Sequence, residues 1–102
     1  MATIFYLDDT GILFEATLVV EGAPMNLAAA TMLQFWFCRP DGHVLKKTAT
    51  LSTNGTDGKM RYTTVANDLT HAGVWQWQPY VVLPSGRMHG AIQTFTVLRN
   101  LA

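Results

Sequence analysis

The chain has 102 residues, 49% hydrophobic and 14% charged, with seven basic and seven acidic side chains and no formal net charge. That length fits one domain and leaves little room for a second, and the apolar content supplies one real core and argues against a disordered chain. A zero balance lacks the electrostatic footprint of a nucleic-acid binder or an anionic-membrane binder.

So few charges on so apolar a chain favour a protein that lives packed against something. The single cysteine, Cys38, rules out an intramolecular disulfide and a zinc site built from cysteines. The start MATIFYLDDTG has neither a basic region nor a long apolar run, so no secretory signal is read there. The apolar runs fall far short of the ~20 residues of a membrane helix. A reducing cytoplasm is the expected folding compartment.

Strand signals follow one another along the chain. Thr3 to Leu7 is a short first strand, closed by the turn Asp8-Asp9-Thr10-Gly11. Ile12, Phe14, Ala16, Leu18 and Val20 then alternate at period two, the pattern of a half-buried antiparallel strand, with Leu13 and Val19 opposite. Glu21-Gly22-Ala23-Pro24 ends that strand. The short Ala cluster from Leu27 to Ala30 is one turn of helix or a loop.

From Met32 to Arg39, Leu33, Phe35 and Phe37 form an inward face, and Met32, Gln34, Trp36 and Cys38 form the outward one. Pro40-Asp41-Gly42 is a turn, because proline presets φ and glycine tolerates positive φ. His43 to Thr53 reads as a more polar strand near a sheet edge. Asn54 to Gly58 reads as a hairpin loop, and Lys59 to Val65 as a strand with Met60 and Tyr62 on one face. After a compact crossing from Asn67 to Gly73, Ala72 to Leu98 reads as two long strands about a tight turn at Pro84-Ser85-Gly86. Proline cannot donate to a ladder, so Pro79 predicts a register change that moves Tyr80 and Val82 relative to Trp75 and Trp77.

Turns recur roughly every 8–12 residues, and this predicts an all-β fold. The architecture expected is an immunoglobulin-like Greek-key β-sandwich of about seven antiparallel strands, a single domain over 1–102. A small closed barrel is the alternative.

No catalytic constellation accompanies these strands. His43, His71 and His89 lie in or beside separate turns, with no second ligand at metal-site spacing. Asp8-Asp9 lacks the alternating oxygen ligands of a calcium loop. Ser52 and Ser85 stand outside any G-x-S-x-G context, and no phosphate-binding glycine motif is present. Cys38 has no histidine partner and reads as a small apolar residue. The expectation is therefore no enzyme, no metal and no cofactor. The informative side chains are aromatic. An outward Trp36 marks a protein contact or a stacking platform, since tryptophan and tyrosine concentrate at interfaces. For Trp75 and Trp77, a place in the core is expected for at least one.

The run PMNLAAATMLQFWFCRPDG, followed by TDGKMRYTTVANDLTHAGVWQWQ, resembles the N-terminal immunoglobulin-like module of phage baseplate upper proteins and related modules of tailed-phage virions. The resemblance covers roughly Leu18 to Leu98 and rests on turns and strands rather than on a catalytic signature. It implies a virion structural subunit on a baseplate, tail, neck or capsid surface, made in the host bacterial cytoplasm and assembling with copies of itself and with other virion proteins. The contact residues expected are Trp36, Met32 and Arg39 on the outer face of one strand, with the loop residues Asn54, Asp57, Ser85, Arg87 and His89. The alternative is a carbohydrate-binding module for a host-surface glycan. Trp36, Trp75 or Tyr80 would then stack on sugar rings, with Gln76 and Gln78 as hydrogen-bond donors.

Overall fold

Alternation becomes strand wherever one face has a core to bury. The computed structural model describes residues 3–20 and 22–101, with backbone alone for Val20, so the expectations for Glu21 and the Val20 side chain lie outside the described residues. The strands are β1 (Ile4–Tyr6), β2 (Leu13–Thr17), β3 (Val19–Val20), β4 (Ala23–Pro24), β5 (Met32–Cys38), β6 (Val44–Thr48), β7 (Thr50–Leu51), β8 (Lys59–Thr63), β9 (Gly73–Leu83), β10 (Gly86–His89) and β11 (Gln93–Leu98).

The larger sheet has the order β1-β11-β9-β5-β6, with β10 also on β9. The smaller has the order β2-β8-β7, and β3 and β4 form a separate ribbon. The chain enters on the larger sheet, crosses to the smaller, returns through the β5–β6 hairpin and crosses twice more. This is an immunoglobulin-like β-sandwich. Taking β10 with β11 as one return strand and leaving aside the two-residue strands, seven principal strands remain. One pair departs from the antiparallel expectation: β1 runs parallel to β11, with Ile4 opposite Thr96 and Tyr6 opposite Leu98. No hairpin joins these two strands, so nothing forces them to be antiparallel.

The polar segment after His43 is one strand shared by two sheets. It pairs with β5 as far as Thr48, buries Ala49, and pairs with β8 from Thr50. The Ala cluster forms a turn closed by the Ala30 N–H on the Leu27 carbonyl at 3.0 Å, with no helix.

The final hairpin differs from expectation at Pro79. The ladder between β9 and β5 runs unbroken through it, from Met32 opposite Val82 to Cys38 opposite Gln76. Trp75, Trp77 and Val81 all face the core, and Tyr80 faces away from it by simple alternation. The slip lies on the other side of β9. There β10 pairs in the register that sets His89 opposite Tyr80, whereas β11 sets Gln93 opposite Trp77, so Gly90 to Ile92 contain one extra residue. This is a bulge. Pro79 accepts from the Gly90 N–H at 2.9 Å, so its missing donor faces the bulge and costs the β5 ladder nothing.

Between the sheets, Phe14 of β2 is the centre of the core. Its ring lies 5.1 Å from Phe37, 5.3 Å from Trp77, 5.2 Å from Phe95 and 5.8 Å from Phe5. Such ring pairs add about 0.5–1.5 kcal/mol each beyond their buried area. Among the described residues the largest fully buried side chains are Leu27, Phe35, Met60, Leu69, Trp75, Val81 and Val97. The Trp75 indole N–H donates to the His71 carbonyl at 2.9 Å, which fixes the corner where the chain enters β9.

Asp68 ties the two sheets together at the same corner. Its carboxylate accepts from the Tyr62 hydroxyl and from the Val65 N–H at 2.9 Å, and pairs with Lys47 Nζ at 3.0 Å. Tyr62 belongs to the smaller sheet and Lys47 to the larger.

Candidate functional site

The face of the larger sheet turned away from the core is built from the even-numbered residues of β5, β6, β9 and β11, joined by Arg87 and His89 of β10, which sit opposite Val82 and Tyr80. Ile4, Tyr6, Met32, Val44, Val74 and Leu98 lie on it, and Ile92 borders it; each of these is more than 40% exposed. The strands of this sheet contain no aspartate or glutamate. The smaller sheet's outer face is more charged, with Glu15, Lys59 and Arg61. These apolar side chains alternate with polar neighbours: Gln34, Thr48, Gln76, Gln78, Thr94 and Thr96 lie on the same face.

Trp36 stands in the middle of this face and is half-buried. Tyr80 stacks on it at 4.6 Å with the ring planes 28° apart, and His89 meets it edge-on at 5.2 Å. Lys46 Nζ lies 4.6 Å over the indole from the opposite flanking strand. The indole N–H donates to Gln34 Oε1 at 3.0 Å. His89 also lies 4.8 Å from the Tyr80 ring. This cluster brings together β5, β6, β9 and β10. Beside it is a shallow cleft of about 90 Å³, lined by Trp36, Cys38, Val44, Gln76, Gln78 and Ile92 among others. Cys38 is a free thiol whose Sγ contacts the Arg39 carbonyl at 3.6 Å.

The expected contact residues divide into three groups. Trp36, Met32, Arg87 and His89 share the outer face. His89 is a member of the aromatic cluster and belongs to β10, where the sequence reading placed it in or beside a turn. Arg39 does not share that face. It lies one residue beyond β5 and clamps Asp41, with Nη2 to Oδ2 at 2.9 Å and Nε to Oδ1 at 3.2 Å. Asp41 also accepts from the His43 N–H, and that bond, followed by Arg39, holds its carboxyl below the usual range. Arg39 therefore shapes the β5–β6 turn.

Asn54 and Asp57 sit in the β7–β8 loop. Asn54 Oδ1 accepts from the Thr56 N–H and hydroxyl, and Asp57 accepts from the Lys59 N–H and the Thr53 hydroxyl. Those bonds, the Lys59 one first, lower the Asp57 carboxyl as well. The loop also adjoins the Ala cluster, where Gly55 accepts from the Leu27 N–H at 2.7 Å. Ser85 is exposed in the β9–β10 turn.

Of the side chains named for a glycan, Trp75 is buried in the core and out of reach, whereas Tyr80, Gln76 and Gln78 are on the outer face. Gln78 donates to the Gly90 carbonyl at 3.1 Å. Gln34 was placed on the outward face from the sequence, but Lys46 was not singled out. Period-two alternation beside Trp36 was the signal that finds them. Among the described residues no group of three or more His, Cys, Asp or Glu is placed to hold a metal ion.

Fold and surface together define an immunoglobulin-like β-sandwich with an apolar, aromatic outer face. No family model matches the chain, and no curated protein matches it in sequence. Its fold is similar to that in the crystal structure of CopC from Methylosinus trichosporium OB3b. The TM-score is 0.60 at 12% sequence identity, over 99% of this chain and 89% of that one. At that identity the likeness is one of fold.

Proposed function

We propose that this chain is a non-enzymatic structural subunit that assembles through protein–protein contacts, and that its setting is the virion of a tailed phage. One observation supports assembly above all: the outer face of the larger sheet carries an aromatic cluster centred on the half-buried Trp36, and Ile4, Tyr6, Met32, Val44, Val74 and Leu98 are exposed on the same face. A monomer gains nothing from that arrangement, and zero net charge leaves little to oppose association. The virion setting rests on the resemblance of the strand and turn pattern from Leu18 to Leu98. Its test is whether the chain co-purifies with phage particles produced from the genome that encodes it. Recovery in stoichiometric amount is the result expected, and its absence from the particles contradicts the setting.

A second reading, adsorption to a host-surface glycan, draws on the cleft beside Trp36, where Gln76 and Gln78 supply amide groups. Tyr80 and Lys46 already flank the indole, which leaves less of it for a sugar ring. Titration of tryptophan fluorescence with a glycan panel tests this reading, and an unchanged spectrum contradicts it.

A further inference from the structure

We propose that two copies of this chain pair antiparallel along the free edge of β10, about a two-fold axis at Met88, so that their larger sheets become one. The inference rests on the assembly reading above and adds an edge contact beside the outer face.

All four residues of β10 are exposed, and among the described residues its only strand partner is β9. Unpaired backbone on such an edge is a template for another strand. The hydrogen-bond phase of the edge is fixed. Gly90 donates inward to Pro79, and the β9 register places Met88 opposite Val81 and Gly86 opposite Leu83. Alternation therefore points the backbone groups of Met88 and Gly86 toward β9, and those of Arg87 and His89 outward.

This set is self-complementary. Rotation about Met88 brings Arg87 opposite the partner's His89 and His89 opposite the partner's Arg87, which gives up to four interchain N–H···O=C bonds. Each guanidinium then faces an imidazole and not a second guanidinium. Both copies present their outer faces on the same side, with Arg87 and His89 of each copy meeting across the seam.

The space along the edge fits this occupant. In that pairing Gly86 of the copy falls opposite Gly90, and its turn falls opposite Ala91 and Ile92. The pairing of β1 with β11 begins only at Thr96, so β1 is clear of the copy. Met88 would face its own counterpart in a non-hydrogen-bonded pair, where Cα atoms are about 4.5 Å apart. That spacing lies within reach of a disulfide.

The test uses the full chain with Cys38→Ser, so that an introduced thiol is the only one. Met88→Cys should give a disulfide-linked dimer under mild oxidation, and Val44→Cys, on the opposite edge of the sheet, should not. Independently, Arg87→Pro removes an outward N–H that β9 does not use. It should leave the monomer folded, by circular dichroism, and raise the dimer dissociation constant by at least about tenfold in sedimentation equilibrium. If the native chain assembles but Met88→Cys cross-links no better than Val44→Cys, or Arg87→Pro leaves the constant unchanged, the edge pairing is wrong and the assembly reading stands. If the native chain is monomeric at every concentration, both are wrong.

Discussion

Gly90 and Pro79 are built against each other: the Gly90 N–H donates to the Pro79 carbonyl at 2.9 Å, and a Cβ added to Gly90 would lie 2.3 Å from the proline Cγ. A proline ring cannot swing aside as a flexible side chain does. Gly90→Ala should therefore destabilise the fold by about 1–3 kcal/mol in urea titration, the usual range for overpacking. Pro79→Ala in the same chain removes the clashing atoms and should recover most of the loss. Strictly additive effects would show that the ring is not the obstacle.

The three tryptophans separate into two kinds. Trp75 is 1% exposed and anchors the corner at His71, so Trp75→Ala should cost about 3–5 kcal/mol. Trp36 loses only its contacts with Tyr80, His89, Lys46 and Gln34, so Trp36→Ala should cost about 1–2 kcal/mol and leave a cooperative melt. It should weaken assembly all the same. Unfolding by Trp36→Ala would contradict the outer-face assignment.

Asp68 should make the fold sensitive to acid. Burial pushes its carboxyl upward, but the bonds from Tyr62, the Val65 N–H and Lys47 outweigh that and hold it below the ordinary value. Burial, followed by the Asp68 hydrogen bond, raises the Tyr62 hydroxyl, which stays protonated as a donor. A carboxyl depressed on folding contributes stability that is fully present above its unfolded pKa and is lost as pH falls through the folded value. Asp68→Asn should cost about 2 kcal/mol at neutral pH. In urea titrations at stepped pH, the gap to the native chain should shrink below about pH 4. A gap that stays constant with pH would show that Asp68 does not act as a charge.

Arg39 is the opposite case. Its partner Asp41 is exposed, and the pair closes a turn at the surface. Arg39→Ala should leave the thermal midpoint nearly unchanged and assembly intact. A loss of assembly would return Arg39 to the contact surface.

Much of this was legible in the sequence because a strand has a period of two. The inward faces of Phe14, Ala16 and Leu18, of Phe35 and Phe37, and of Met60 follow from alternation alone. The same rule, applied to Arg39, places it out of phase with Trp36. The side of β9 on which Pro79 breaks the ladder could not be read, because it depends on which neighbour its absent N–H faces. The switch of sheets at Ala49 depends on which strand has room beside it. The packing of His89 on Trp36 joins residues far apart in the chain through strand register, which composition does not carry.

Association is the property proposed for this chain. Multi-angle light scattering across a wide concentration range measures that most directly. The account predicts a mass that rises with concentration to at least twice the 11.3 kDa of one chain, and that Trp36→Ala lowers it. A mass of one chain at every concentration, with Trp36→Ala indistinguishable from the native protein, would contradict it.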